Sequence, residues 1–184
     1  MIEPIAATSP SPRGRITGVV YLLYFLTAVF SQFLVSRKLV VYGDAVNLIA
    51  TALYAVLTML FYVMFRPVNS SISLVAALFS LVGCAITALN VFHLASSVSP
   101  LLFFGPYCLL LGYLIFRSTF LPRVLGVLMA LAGLGWLMFL MPPLAKHLSI
   151  YIMVLGIFAE GLLMLWLLVK GVNVQRWMER ASAA

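Results

Sequence analysis

Long apolar runs follow one another along the chain, broken only by short polar linkers. Six can be drawn, at residues 16–35, 45–65, 72–95, 101–116, 124–141 and 150–169. Each is close to the roughly 20 apolar residues that carry a helix across the hydrocarbon core of a bilayer. The runs are continuous and do not alternate apolar with polar positions over about ten residues, so a transmembrane β-barrel is rejected. The linkers "SRKLVVYGD", "RPVNSS", "SSVSP", "RSTFLPR" and "PPLAKHLS" are too short to hold a separate domain. The pattern predicts an all-α polytopic bundle of six transmembrane helices over residues 16–169. A Pro/Ser-rich leader at 1–15 is expected to be flexible and cytoplasmic. The apolar run behind it is long and lacks a clear small-x-small cleavage site, so the first helix is expected to be retained. Residues 170–184 are expected to form a cytoplasmic tail, which is either an interfacial amphipathic turn with Val174, Trp177 and Met178 on one side or a frayed end with an interfacial Trp.

Composition settles which solvent this pattern is written for. The chain has 184 residues, of which 65% are hydrophobic and 8% charged, and its mean hydropathy is +1.18. A soluble domain is about one-quarter charged. Too few polar side chains exist here to cover a water-facing surface, so the expected partner is the lipid bilayer. The net charge of +7 would suit nucleic acid, but its placement argues for topology instead. With the N-terminus inside, Arg13, Arg15, Arg66, Arg117, Arg123, Lys170, Arg176 and Arg180 fall on the cytoplasmic side. Arg37, Lys38 and Lys146 fall outside, which follows the positive-inside rule and predicts an N-in/C-in protein of the inner membrane.

Polar residues inside the runs are few, and their spacing is informative. In the third run Ala76, Ser80, Gly83, Thr87 and Asn90 recur on one helical face, and in the fifth Gly126, Ala130 and Gly133 do the same. Small faces of this kind let helix backbones approach closely in lipid, so helix packing is the first expectation for both. One carboxyl, Glu160, stands near the middle of the sixth run, where a charge is costly and an ionisable group is a candidate for function. It is expected to face the bundle interior as a neutral acid held by hydrogen-bond donors. Depth along the helices favours Tyr107 as that donor, with Asn90 and His93 one to two turns toward the outside. Together these four residues are the ligand-binding candidates. A second polar group, Gln32, Asp44 and Asn47, gathers at the outer helix ends, where a wetted surface competes with a binding vestibule.

Other chemistries find little support. Asp44, His93 and His147 come from unrelated segments with no metal-binding spacing, so no metal is expected. No GxSxG stretch or phosphate-binding glycine loop occurs, no cofactor is expected, and no catalytic residue is assigned. Cys84 and Cys108 lack a CxxC neighbour and read as small buried hydrophobes. "YVMFR" from Tyr62 and "YLIFR" from Tyr113 look alike, but an aromatic residue followed by a cation is what any helix leaving the membrane inward prefers. Interface preference therefore explains them more simply than duplication.

The stretches "RITGVVYLLYFLTAVFSQF", "LVVYGDA", "FRPVNSSISLVAALF", "LLLGYLIFRSTFLPRVLGVLMALAGLGWL" and "LLMLWLLVKGVN" give the chain a wider likeness. It resembles an uncharacterised family of small multi-pass bacterial membrane proteins, defined as a domain of unknown function. The resemblance implies a six-helix inner-membrane protein. It also implies an acid before the final Leu-Trp-Leu-Leu stretch, matched by Glu160, and a His just before "LLLGYL", where this chain has Tyr107. Three functions remain open at this level. The first is binding or transport of a small or lipophilic ligand in a polar cleft near Glu160. The second is a structural or partner-binding subunit. The third, and weakest, is a membrane-embedded enzyme using Glu160 as acid or base with help from His93.

Overall fold

The structure is a computed structural model that describes residues 12–94 and 98–182. Residues 1–11, 95–97 and 183–184 lie outside the described residues. Seven helices follow in order: α1 Pro12–Ser36, α2 Val40–Phe65, α3 Ser70–Val91, α4 Leu101–Arg117, α5 Arg123–Met138, α6 Pro142–Val169 and α7 Val174–Ser182. No strand occurs among the described residues. Every apolar run has become a helix, and the tail has become α7.

Local chemistry sets the boundaries. Asn69 caps α3, its side-chain oxygen accepting from the Ile72 amide at 2.9 Å, as preferred at a helix start. Prolines open α6, where their missing N–H would have had no helical partner. At its other end Gly171, with φ of 65°, turns the chain out of the helix while its amide bonds to the Trp166 carbonyl.

Consecutive helices pack against one another and α6 closes on α1, so α1 to α6 form a ring. Tyr21, Leu57, Tyr107, Leu111, Leu163 and Leu167 are almost fully buried inside it. Its outer surface is apolar on helix after helix: Leu26, Ile49, Leu78, Leu131 and Val154 are all exposed. An exposed apolar surface this extensive is foreign to soluble monomers. Four helical stretches, Gly14–Ser36, Val40–Phe65, Ser70–Val91 and Ala145–Val169, are long and apolar enough to cross a membrane. These features describe a multi-pass membrane protein. The helices α4 and α5 are shorter, at 17 and 16 residues, or about 25 Å each at 1.5 Å per residue.

Small residues make the seams. A Cβ on Gly112 would stand 2.6 Å from the Gly126 carbonyl oxygen, and one on Gly133 would stand 2.8 Å from that of Gly105. The small face of α5 therefore packs on α4 at backbone contact. The polar face of α3 divides its work: Ser80 is buried and bonded to Thr58 at 2.6 Å across the α2–α3 seam, while Gly83 lies under the Phe104 ring. Gly14 and Gly18, spaced as in a small-xxx-small motif, bring α1 against the end of α6, where a Gly18 Cβ would meet the Leu168 amide at 2.6 Å.

One end of the ring gathers the starts of α1, α3 and α5 and the ends of α2, α4 and α6. There α7 is tied on. The Trp177 indole donates to the Met64 carbonyl at 2.9 Å, and the Arg176 guanidinium donates to the Thr119 carbonyl at 3.0 Å. The Asn173 amide reaches the Phe120 carbonyl at 3.4 Å. Val174, Trp177 and Met178 lie together along a groove with Leu60 and Met64. The two Tyr-x-x-Phe-Arg sequences end differently here. Phe65 is buried and stacked on Phe61 and Phe120, whereas Phe116 is exposed with the Arg123 guanidinium over it at 5.7 Å.

Candidate functional site

Glu160 lies ten residues before Lys170 on α6, or about 15 Å from that end of the ring, which is half the thickness of a hydrocarbon core. It points inward and is half-buried. The Tyr21 hydroxyl of α1 donates to its Oε2 at 3.3 Å. The Trp136 indole of α5 lines the same cleft as the carboxyl. The Trp136 ring lies against Gly156, one turn before Glu160 on α6, where a Cβ would overlap the indole. Gly156 thus makes room beside the acid, and the room is taken by an aromatic ring.

A cleft of about 480 Å³ opens in front of the carboxyl. All six ring helices contribute to its wall. Its polar groups are Glu160, Gln32, Asn47, Thr51 and Thr87, and its apolar wall includes Tyr24, Tyr54, Phe104, Trp136 and Ile157. Gln32 sits one turn from the end of α1, and Asn47 two turns into α2. The cleft therefore runs from mid-depth toward the end of the ring that carries Arg37, Lys38 and Lys146. Volumes of this order hold small organic ligands, typically in mainly apolar walls with a few placed polar groups.

The structure brings together some of the residues singled out from sequence and not others. Glu160, Gln32 and Asn47 share the cleft, and Cys84 and Thr87 join them from α3. Asp44 is half-buried but off the lining. Asn90 donates to the Val98 carbonyl at 3.2 Å, tying down the α3–α4 connection. His93 is exposed beyond the end of α3 with φ of 58°, away from Glu160.

Tyr107 requires a correction. It is buried, but it does not donate to Glu160; its hydroxyl has no hydrogen-bond partner among the described residues and its ring packs edge-on against Tyr54, centroids 6.0 Å apart. It faces a separate small void with Thr58 and Ala76. The donor is Tyr21, because ring closure sets α1 beside α6. Heights along helices are readable from sequence, but neither the neighbour of α6 nor the rotation of α4 is. The available signal was Gly14-x-x-x-Gly18, which marks the face of α1 that a partner helix can approach, with Tyr21 one turn further along.

The family model described as Domain of unknown function (DUF4386) matches residues 97–171, a span holding α4, α5 and α6 with Trp136 and Glu160. An uncharacterized protein of Archaeoglobus fulgidus is 32% identical over 149 residues, which cover 76% of this chain and 90% of that protein. The likeness therefore extends to an archaeon. No solved structure matches the chain.

Proposed function

The chain belongs to the family of this domain of unknown function, and we propose that it binds or transports a small, lipophilic ligand within the membrane. In this reading all six ring helices cross the inner (cytoplasmic) membrane, with both termini in the cytoplasm. The ligand sits in the cleft between Glu160 and the outer mouth at Gln32 and Asn47. The observation that carries the reading is the cleft itself, a space of about 480 Å³ that reaches the one carboxyl at mid-depth. A residue kept only to clamp helices has no need of such a space.

The test is to purify the full chain in mild detergent and identify co-purified small molecules by mass spectrometry, comparing it with Glu160→Gln. A compound enriched on the native protein and lost from a folded variant is the expected result. The same compounds on both proteins at the same occupancy would sink the proposal.

A second reading has one observation in its favour, the bond from Tyr21 to Glu160, which joins α1 to α6 where the ring closes. Glu160 would then be a structural clamp in a partner-binding subunit. That reading expects Glu160→Gln to leave phenotype and co-purified molecules unchanged, because an amide oxygen still accepts from Tyr21. An enzyme using Glu160 with His93 gains no support, since His93 stands off the cleft.

A further inference from the structure

Resting on the ligand-binding reading above, we infer that the cleft takes an organic cation with an apolar body, an amine or a quaternary ammonium. The lining holds one acidic group, Glu160, and no Lys or Arg. Ionised at this depth, the carboxyl has a hydrogen-bond donor in Tyr21 but no counter-charge in the wall. A cationic ligand supplies that charge and offsets the cost of burying it.

The walls agree with this assignment. Tyr24 and Tyr54 stand with ring centroids 4.6 Å apart, and Phe104 meets Tyr54 edge-on at 5.4 Å. With Phe25 and Trp136 they make an aromatic lining drawn from four helices. Aromatic faces carry negative quadrupole density and attract ammonium groups, most strongly where water is excluded. The fixed hydroxyls point the same way. Thr51 and Thr87 each donate to a carbonyl one turn back on their own helices, Asn47 at 2.8 Å and Gly83 at 2.9 Å. Their oxygens are left as acceptors. An anion would meet Glu160, ring faces and threonine lone pairs of the wrong sign, with only the neutral amides of Gln32 and Asn47 to donate to it. A neutral apolar molecule would fill the volume but leave the carboxyl without a partner of opposite charge.

The test uses the full chain in detergent and equilibrium dialysis against three probes, with protein-free micelles as the blank. The probes are benzyltrimethylammonium, its neutral carbon isostere neopentylbenzene, and benzenesulfonate. Saturable binding of the cation is expected, weakened about tenfold or more by Glu160→Gln, with the neutral isostere weaker by a similar factor. Tyr24→Leu should weaken the cation about threefold, and Tyr24→Phe less, because the ring face survives. The Tyr24 pair decides the matter if Glu160→Gln fails to fold by size-exclusion chromatography. Equal binding of cation and isostere, tighter binding of benzenesulfonate, or indifference to the variants overturns the cation assignment while leaving a ligand cleft standing. Failure of the cation to bind a protein that still carries a co-purified molecule does the same. No probe bound and no molecule co-purified removes both readings.

Discussion

The Tyr21 hydroxyl bonds to Glu160 between α1 and α6, and the length of 3.3 Å marks the bond as modest. Interhelical hydrogen bonds in membrane proteins average about 0.6 kcal/mol, because the polar group finds other partners when helices separate. Tyr21→Phe should therefore cost no more than about 1 kcal/mol in reversible unfolding in mixed micelles. A loss of several kcal/mol would mean that the pair is the fastener of the ring. The acid itself was plain in the sequence: a carboxyl in an oily run has few interpretations. Its partner was not, since Tyr21, Tyr24, Tyr54 and Tyr107 are all phenols in apolar runs, and only the closed ring tells which of them reaches it. Trp136 was hidden for the same reason, being an aromatic residue near a helix end that a sequence reading assigns to the interface.

Between helices, glycine is decisive where backbones touch. On Gly112 an added methyl would sit 2.6 Å from the Gly126 carbonyl oxygen and 2.7 Å from the Ala130 amide, all backbone that cannot swing aside. Gly112→Ala should part α4 from α5 and destabilise by about 1–3 kcal/mol, the usual cost of overpacking. Gly161, beside the candidate site, has nothing within 4 Å of its hypothetical Cβ. Gly161→Ala should be neutral or stabilise by up to about 1 kcal/mol through helix propensity. Thermal unfolding followed by circular dichroism compares the two, and equal effects would contradict the seam. The α5 side of this seam was legible as Gly126, Ala130 and Gly133 on one face. Its α4 side, Gly105 and Gly112, is spaced seven apart within aromatic and leucine-rich sequence and gives a weaker signal. The run of small and polar residues along α3 was legible as a stripe, but the stripe turned out to serve four purposes at four heights: a bond to Thr58, a floor for Phe104, part of the cleft wall, and the Asn90 tie to the α3–α4 connection.

At the scale of the molecule, the number of crossings turns on α4 and α5, each about 25 Å long and so slightly under the hydrocarbon thickness. Their tip nevertheless reaches the end of the ring where α7 lies, because the Thr119 carbonyl accepts from Arg176 and the Phe120 carbonyl from the Asn173 amide. The same end carries Arg15, Arg66, Arg117, Arg123, Lys170, Arg176 and Arg180, while the far end has only Arg37, Lys38 and Lys146. A tip flanked by Arg117 and Arg123 would be costly to leave inside lipid, whereas small local thinning of the bilayer accommodates short helices cheaply. Both arguments favour the proposed topology of six crossings with the basic end in the cytoplasm, and labelling tests it. In a Cys84→Ala, Cys108→Ala background, Ser36→Cys and Ser99→Cys should react with a membrane-impermeant maleimide on intact cells. Ser71→Cys and Thr119→Cys should react only after permeabilisation. Thr119 is the discriminating position, since its side chain is exposed and only its carbonyl is engaged. Labelling of Thr119→Cys from outside, or protection of it under both conditions, would make α4 and α5 a re-entrant pair. That would leave four crossings and set part of the Glu160 cleft wall on a hairpin that does not span.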